Sequence, residues 1–168
     1  MENVPNKKIE EKLLNIKKFL VEANKSGYAA GETKNWTKEV DCSQTIVYES
    51  PDGNWLYHDN FFGGEPYGGR TIVFYRGEPY WLMVYYGRVE DKVETDSVYG
   101  ILRNALKQMP EDYPFRGPKE YKEKEFIYKN NWQGEVDKFS GEERIFQNGK
   151  PVYKANYVGG LVDQKKGI

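Results

Sequence analysis

The strongest constraint on the fold is an uninterrupted run of apolar and aromatic side chains at residues 80–86, Tyr-Trp-Leu-Met-Val-Tyr-Tyr. Successive side chains of a β-strand point to opposite faces of the sheet, so a strand without polar positions presents apolar groups on both faces. Such a strand is typical of the middle of a sheet whose two faces are covered. We therefore predict a central strand here, buried on both faces.

Shorter strand patterns precede and follow this run, and turn sequences separate them. Pro51-Asp52-Gly53-Asn54 joins two of them, and Asn148-Gly149 joins two others. An Asn-Gly pair between apolar runs favours a tight β-hairpin, since both residues tolerate positive φ. Besides the central strand, we predict strands at residues 45–48, 55–58, 71–75, 126–128, 144–146 and 152–157.

Two segments have the spacing of amphipathic helices instead. Apolar residues three and four positions apart predict one helix over residues 7–25. The same spacing predicts a second helix that begins near Thr95 and ends at Pro110, because proline cannot continue a helix.

The two halves of the chain can be aligned with each other. The matched aromatic positions are Tyr57 with Tyr128, Trp81 with Tyr153, and Tyr85 with Tyr157. We interpret the series as an internal duplication. The predicted fold class is α+β: a single domain over residues 1–168, with two pseudo-symmetric helix-plus-three-strand halves, 7–90 and 91–163, whose antiparallel sheet or sheets pack against the helices. The alternative is that two unrelated hairpins share glycine and aromatic residues.

The charge balance argues against several classes of partner. The chain has 25 basic and 26 acidic residues, a net charge of -1, which provides no field to attract nucleic acid or an anionic membrane. It has no apolar run of the ~18–20 residues that a membrane span requires. The single cysteine and the absence of a secretory signal pattern predict a cytoplasmic protein.

The residue types also limit the possible chemistry. One histidine and one cysteine are too few for a zinc site, and the paired glycines match no nucleotide-binding fingerprint. We predict no metal, no cofactor and no catalytic residue, so the chain is more consistent with a non-enzyme. A hydrolase of unknown substrate, using His58, Asp59 or Glu143, is kept as an alternative.

The matched rings, together with a few charged side chains, predict a ligand-binding groove between the two halves. The candidate ligand-binding residues are Tyr57, Asp59, Arg70, Trp81, Tyr85, Arg116, Tyr128, Glu143, Tyr153 and Tyr157. Apolar and aromatic walls with a few polar groups are typical of small-molecule sites. The alternatives are that the rings form the core under the helices and that Arg116 pairs with Glu143 inside the fold.

Several runs also resemble a known family. They are residues 57–64 (YHDNFFGG), 77–87 (GEPYWLMVYYG), 114–118 (PFRGP) and 139–145 (FSGEERI). These runs resemble a bacterial domain family of unknown function, whose members occur alone or fused behind Xre-type helix-turn-helix DNA-binding domains. The chain departs from the family pattern at Thr71, where glutamate is common, and at Val84, where asparagine is common. Glu143 and Asn156 keep those residue types in the second half.

The resemblance implies no established activity. It implies a bacterial or archaeal, cytoplasmic protein, associated as a sensor with a transcription regulator. Together with the rings, it leads to the hypothesis of a non-enzymatic ligand-binding or sensory module for a small molecule or peptide. The first alternative is a protein-interaction or homodimerisation module, and neither hypothesis includes direct contact with nucleic acid or a membrane.

Overall fold

The computed structural model describes residues 4–30 and 36–165. Within these residues the chain forms two α-helices, a short 3-10 helix at Tyr28–Ala30 and nine strands. The elements are α1 Val4–Ser26, β1 Trp36–Lys38, β2 Gln44–Glu49, β3 Trp55–Phe62, β4 Tyr67–Tyr75, β5 Glu78–Val89, α2 Thr95–Leu106, β6 Glu120–Glu123, β7 Phe126–Glu135, β8 Lys138–Gln147 and β9 Lys150–Leu161. The predicted helices are confirmed to within a few residues at each end.

All nine strands belong to one antiparallel sheet with the order β1-β2-β3-β4-β5-β9-β8-β7-β6. Strands β5 and β9 therefore meet in the middle, and in each half of the sheet the chain runs inward from an edge, from β1 to β5 and from β6 to β9. The two edge strands are short: β1 has three residues, and β6 has the sequence Glu-Tyr-Lys-Glu. Short, charged edges limit pairing with other chains.

The predicted division into two helix-plus-three-strand halves is wrong. The strands form one continuous nine-stranded sheet, because β5 and β9 pair along the whole stretch from Trp81–Leu161 to Val89–Tyr153. This pairing removes the two open edges that separate halves would leave in the middle. The prediction also missed β1 and β6, since short polar strands lack apolar alternation.

The central position of β5 is confirmed, whereas its predicted burial on both faces is wrong. Trp81, Met83 and Tyr85 point to the core and are buried. Val84 and Tyr86 point to the other face and are 46% and 55% exposed. We call that second side of the sheet the open face.

The helices cover the core face in two clusters. The apolar stripe of α1, including Ile16, Phe19 and Leu20, packs over β2–β5, and we call this cluster the first core. The stripe of α2, including Ile101 and Leu102, packs with side chains of β5 and β7–β9 to form the second core. The ends of the two helices are linked, because Asn24 Nδ2 donates to the Leu106 carbonyl oxygen at 2.7 Å.

The hairpin predicted at Asn148-Gly149 is confirmed between β8 and β9. Both turn residues have positive φ, 49° and 77°, as expected for a two-residue hairpin turn. Neither helix in the described part of the chain combines the length and the apolar character that crossing a membrane requires.

The register along the middle of the sheet relates the matched aromatic positions. Tyr85 on β5 lies opposite Tyr157 on β9. Four residues away on either side, Trp81 lies opposite Leu161 and Tyr153 lies opposite Val89. The matched rings therefore occupy corresponding places about the Tyr85–Tyr157 pair, while the duplication itself stays a prediction.

Candidate functional site

A cavity of about 240 Å³ lies between the two helices and the core face of β3–β5. At roughly 30 Å³ per molecule, it has room for about eight waters. Its walls are rich in aromatic side chains: they contain Tyr28, Trp36, Tyr57, Phe61, Tyr67, Trp81, Tyr85, Tyr99 and Phe115. Helix α1 contributes Leu20 and Asn24, and α2 contributes Arg103 and Leu106. Both helices and the sheet therefore contribute to the wall of the cavity.

Asp59 is the buried acidic group in the cavity wall. Its side chain lies on the core face of β3, opposite Thr71 on β4, and is 5% exposed. Thr71 Oγ1 and the Tyr85 hydroxyl both donate to Oδ1, at 2.9 and 2.8 Å. Among the residues that the structure describes, Oδ2 has no hydrogen-bond partner, and no lysine or arginine nitrogen lies within 4.0 Å of the carboxylate.

The surroundings of Asp59 favour the neutral, protonated form of its carboxyl group more than water does for an exposed aspartate. Burial raises the pKa of Asp59, while the hydrogen bonds from Tyr85 and Thr71 and the charges of Arg116 and Arg70 oppose the rise. Burial and the neighbouring carboxyl group likewise raise the pKa of Tyr57. Asp59 therefore takes up a proton more readily than an exposed aspartate does.

Arg116 forms another part of the cavity wall, and its charge is already paired. It lies in the Pro-Phe-Arg-Gly-Pro segment between α2 and β6, and its Nε donates to Glu143 Oε2 at 2.8 Å. Glu143 is fully buried, and the Tyr128 hydroxyl donates to its Oε1 at 2.5 Å. The Arg116–Glu143 pair considered as an alternative is therefore confirmed.

The Arg116 guanidinium also connects the ion pair to the aromatic wall. Its central carbon lies 5.6 Å from the centre of the Tyr85 ring, and one terminal nitrogen lies 3.5 Å from the Tyr67 hydroxyl. Burial lowers the pKa of Arg116, but Glu143 and the nearby tyrosines raise it, and the balance is a value well above the ordinary one. Arg116 therefore stays charged at any physiological pH.

Two donors in the wall lack complete pairing. The five N–H groups of Arg116 exceed the two contacts to Glu143 and Tyr67 found in the described part of the chain. The indole Nε1 of Trp36 is buried and has no hydrogen-bond partner among the described residues. A buried donor without an acceptor costs about 1–3 kcal/mol, so the Trp36 indole favours an acceptor beside it, and the remaining N–H groups of Arg116 can donate to one.

The ten predicted site residues divide into three groups. Five of them line the cavity: Tyr57, Asp59, Trp81, Tyr85 and Arg116. Four others face the core but lie outside the cavity lining: Tyr128, Glu143, Tyr153 and Tyr157. They form a packed polar network instead, in which the Tyr157 hydroxyl donates to Asn130 Oδ1 at 2.7 Å and the Tyr153 and Tyr67 hydroxyls lie 2.5 Å apart.

Arg70 is the tenth residue, and the structure places it on the open face. It is exposed and lies opposite Asn60 on β3 and Val84 on β5. Alternation along β4 separates it from Thr71, whose side chain reaches Asp59. His58 is separated from Asp59 in the same way, so these two neighbours in the chain do not face one cavity.

The expected groove between two halves is therefore replaced by a cavity over β3–β5, beneath the helices. Sequence reasoning missed several wall residues, among them Trp36, Tyr67, Thr71 and Tyr99. Tyr67 and Tyr99 had no matched partner in the alignment of the halves. Thr71 had one signal: it departs from the family pattern at a position where glutamate is common.

The described residues contain no group of three or more His, Cys, Asp and Glu side chains placed to hold a metal ion. The carboxylates near the cavity are separated: Asp59 belongs to its wall, while Glu143 lies beyond Arg116. The geometry thus provides hydrogen-bonding groups and an aromatic enclosure rather than a cluster of metal ligands.

Comparison with protein families places this chain. Residues 59–162 match the family described as Domain of unknown function (DUF5680). The chain belongs to this family. Comparison with the curated proteins and with the solved structures found no match. The resemblance to a domain family of unknown function is therefore confirmed in that general form, whereas the Xre-type association and the bacterial origin stay predictions.

The matched region and the cavity do not coincide fully. The match begins at Asp59 and covers the second half of β3 and all later elements. Helix α1 and strands β1 and β2 precede it, yet they supply Leu20, Asn24, Trp36 and Gln44 to the cavity wall. One side of the enclosure is thus built by residues outside the matched region.

Proposed function

We propose that this chain is a non-enzymatic binding domain that holds a small organic molecule in the cavity between its helices and β3–β5. The observation that carries the proposal is the aromatic cavity with the buried Asp59 carboxyl group in its wall. Enclosed sites with aromatic walls and a few placed polar groups are the usual form of small-molecule sites.

The size of the cavity limits the ligand to a small metabolite. About 240 Å³ is slightly below the roughly 300–1,000 Å³ typical of drug-sized ligands. A molecule with one ring and one or two polar groups suits this volume. A peptide chain of several residues does not, so the small-molecule form of the hypothesis is the one we develop.

The arrangement of the helices supports a sensory role for the same site. Residues of α1, α2 and the sheet all line the cavity, and Asn24 links the ends of the two helices through the Leu106 carbonyl. A ligand that contacts all three elements stabilises their packed arrangement by an amount that depends on its concentration and affinity. Ligand concentration would thereby be converted into a change in helix packing.

Thermal unfolding in the presence of a library of single-ring metabolites tests the proposal. We expect a subset of compounds to raise the melting temperature of the wild-type protein. The matched control is Leu20→Phe, which extends a side chain of α1 into the cavity. The same compounds should have no effect on this variant, and a library without any hit on the folded wild-type protein would argue against the proposal.

A second candidate function uses the open face. Val84 and Val158 lie directly opposite each other on the central strands, Tyr86 lies nearby, and each is 46–57% exposed. Exposed apolar groups on neighbouring strands favour contact with another protein surface, here a second copy of the chain. Sedimentation equilibrium tests this: a dimer that dissociates in the Val84→Asp variant would support it, and a monomer at all concentrations would exclude it.

The hydrolase alternative stays a prediction. Asp59 lines the cavity, whereas His58 lies on the other side of the same strand and Glu143 is paired with Arg116. The three residues named for that alternative do not surround one space.

A further inference from the structure

We infer that the ligand is a small organic cation, a protonated amine whose ammonium group pairs with Asp59. This inference rests on the proposed binding function and specifies the chemical class of its ligand. The acidic and basic groups around the cavity do not balance once Arg116 and Glu143 are counted as a neutral pair.

The wall contains four residues with acidic or basic side chains: Asp59, Asp96, Arg103 and Arg116. Asp96 is exposed and Arg103 is partly exposed, so water screens both charges. The charge of Arg116 is matched by Glu143 at 2.8 Å. The carboxyl group of Asp59 is therefore the one buried acidic or basic group of the described cavity wall without an oppositely charged partner, and a cation beside it would favour its ionised form.

Neutral hydroxyl groups are the hydrogen-bond donors that Asp59 has in the described structure. Thr71 and Tyr85 both bond to Oδ1, which leaves Oδ2 available to a donor inside the cavity. Burial of an unpaired carboxylate is costly, and a cationic donor at this oxygen would remove most of that cost. An ammonium group provides both the charge and the hydrogen bond.

The aromatic walls suit the same ligand. Tyr57 and Tyr85 lie on the core face beside Asp59, and Trp81 and Phe61 belong to the same wall. The negative faces of aromatic rings attract a cation within about 6 Å, and the attraction increases when water is excluded. Arg116 already uses this attraction at the Tyr85 ring, at 5.6 Å from the ring centre.

An anionic ligand suits the site less well, although Arg116 has free donors. An anion beside Arg116 would add negative charge next to Glu143 and near Asp59, which raises the electrostatic energy of both buried carboxylates. A neutral acceptor on the amine, such as a hydroxyl or carbonyl oxygen, can accept from Arg116 or from Trp36 Nε1 without that cost. The preferred ligand is thus an amine with one neutral acceptor.

Three probes of nearly equal size test the inference: benzylamine, benzyl alcohol and benzoate. They share one ring and differ in charge at a single position, so calorimetric titration of the wild-type protein at neutral pH compares charge directly. We expect benzylamine to bind about ten- to a hundredfold more tightly than benzyl alcohol, the range for a hydrogen bond between charged groups, and benzoate to bind most weakly.

The variant Asp59→Asn removes the charge and keeps an acceptor for Thr71 and Tyr85. The advantage of benzylamine over benzyl alcohol should disappear in this variant and persist in Glu142→Gln, which removes a carboxylate on the open face. Retention of the advantage in Asp59→Asn would overturn the inference, since the ammonium would then be bound elsewhere.

The outcomes separate this inference from the proposed function. Preference for benzyl alcohol or benzoate, abolished by Leu20→Phe, would overturn the cationic ligand but keep the cavity as a binding site. Binding of none of the three probes, together with no hit in the metabolite library, would contradict both proposals.

Discussion

Two related groups of three residues lie on either side of the β5–β9 pair, and they are packed differently. The first group lies on β3–β5 and the second group on β7–β9. Asp59 lies opposite Thr71, and Tyr85 lies on the next strand. Asn130 lies opposite Glu143, and Tyr157 lies on the next strand in the same relation. In each group the tyrosine hydroxyl donates to the side chain of the outermost strand, Asp59 or Asn130.

The difference lies in the middle residue and in what pairs with it. In the second group Glu143 reaches Arg116 and Tyr128, so a long side chain and its partners fill the space. In the first group the shorter Thr71 bonds to Asp59, and the space beside it remains as the cavity. The same strand register therefore builds a closed polar network in one place and a cavity in the other.

The largest effect is expected from Glu143→Gln. It removes the carboxylate that pairs with Arg116 and leaves a buried guanidinium without a counter-charge. The free energy of unfolding in urea should decrease by about 3–5 kcal/mol. The control is the neighbouring Glu142→Gln, whose partners Arg144 and Lys154 are exposed, and there the decrease should stay below about 1 kcal/mol. Equal effects of the two substitutions would contradict the packed network.

A smaller effect is expected from filling each core. Leu102→Phe enlarges a fully packed side chain of the second core and should lower the free energy of unfolding by about 1–3 kcal/mol. Leu20→Phe adds the same volume beside the cavity, so its cost in urea unfolding should be below about 1 kcal/mol. A larger loss of unfolding free energy for Leu20→Phe than for Leu102→Phe would show that the cavity beside Leu20 cannot hold the added ring.

The smallest effect is a pH-dependent stabilisation by Asp59→Asn. The pKa of Asp59 is raised by burial above its ordinary value of 3.8, so the folded chain binds the proton more tightly than the unfolded chain. The contribution of Asp59 to stability is therefore fully present below pH 3.8 and is lost as the pH rises through the folded pKa. A tenfold difference in proton affinity between the two states corresponds to about 1.4 kcal/mol.

Urea unfolding between pH 4 and pH 8 should accordingly show that Asp59→Asn gains stability over the wild-type protein as the pH rises. The control is Asp41→Asn: hydrogen bonds from Ser43 lower the pKa of Asp41 below its ordinary value of 3.8, so its contribution to stability changes mainly below pH 4 and the relative stability of this variant should stay nearly constant between pH 4 and pH 8. A pH-independent difference for Asp59→Asn would mean that Asp59 has the same proton affinity folded and unfolded.

Local features of the fold could be predicted from the sequence, whereas the connection between its parts could not. The helices, the Asn148-Gly149 hairpin and the central place of β5 follow from spacing and turn chemistry, which act over a few residues. Pairing of β5 with β9 joins residues about seventy positions apart, and no local pattern specifies such a partner. The exposure of the open face could not be predicted from local sequence either, because Val84 and Tyr86 belong to an apolar run and are nevertheless exposed.

The candidate site could be predicted only in part, because segments that are distant in the chain build its wall. Matching the two halves selected rings that have an equivalent, such as Tyr85 and Tyr157, and only one member of that pair lines the cavity. Which side stays open depends on side-chain volume at Thr71 and Glu143 and on the position of Arg116, which comes from a separate segment. Trp36 joins the wall from β1, a strand with no clear signal in the sequence.

The most direct test is a crystal structure of the protein soaked with benzylamine. The account predicts density for the ammonium group within hydrogen-bond distance of Asp59 Oδ2, with the ring enclosed by the aromatic wall that includes Tyr57 and Tyr85. A crystal in which this cavity holds only water at saturating benzylamine, or in which the amine lies away from Asp59, would contradict the central claim.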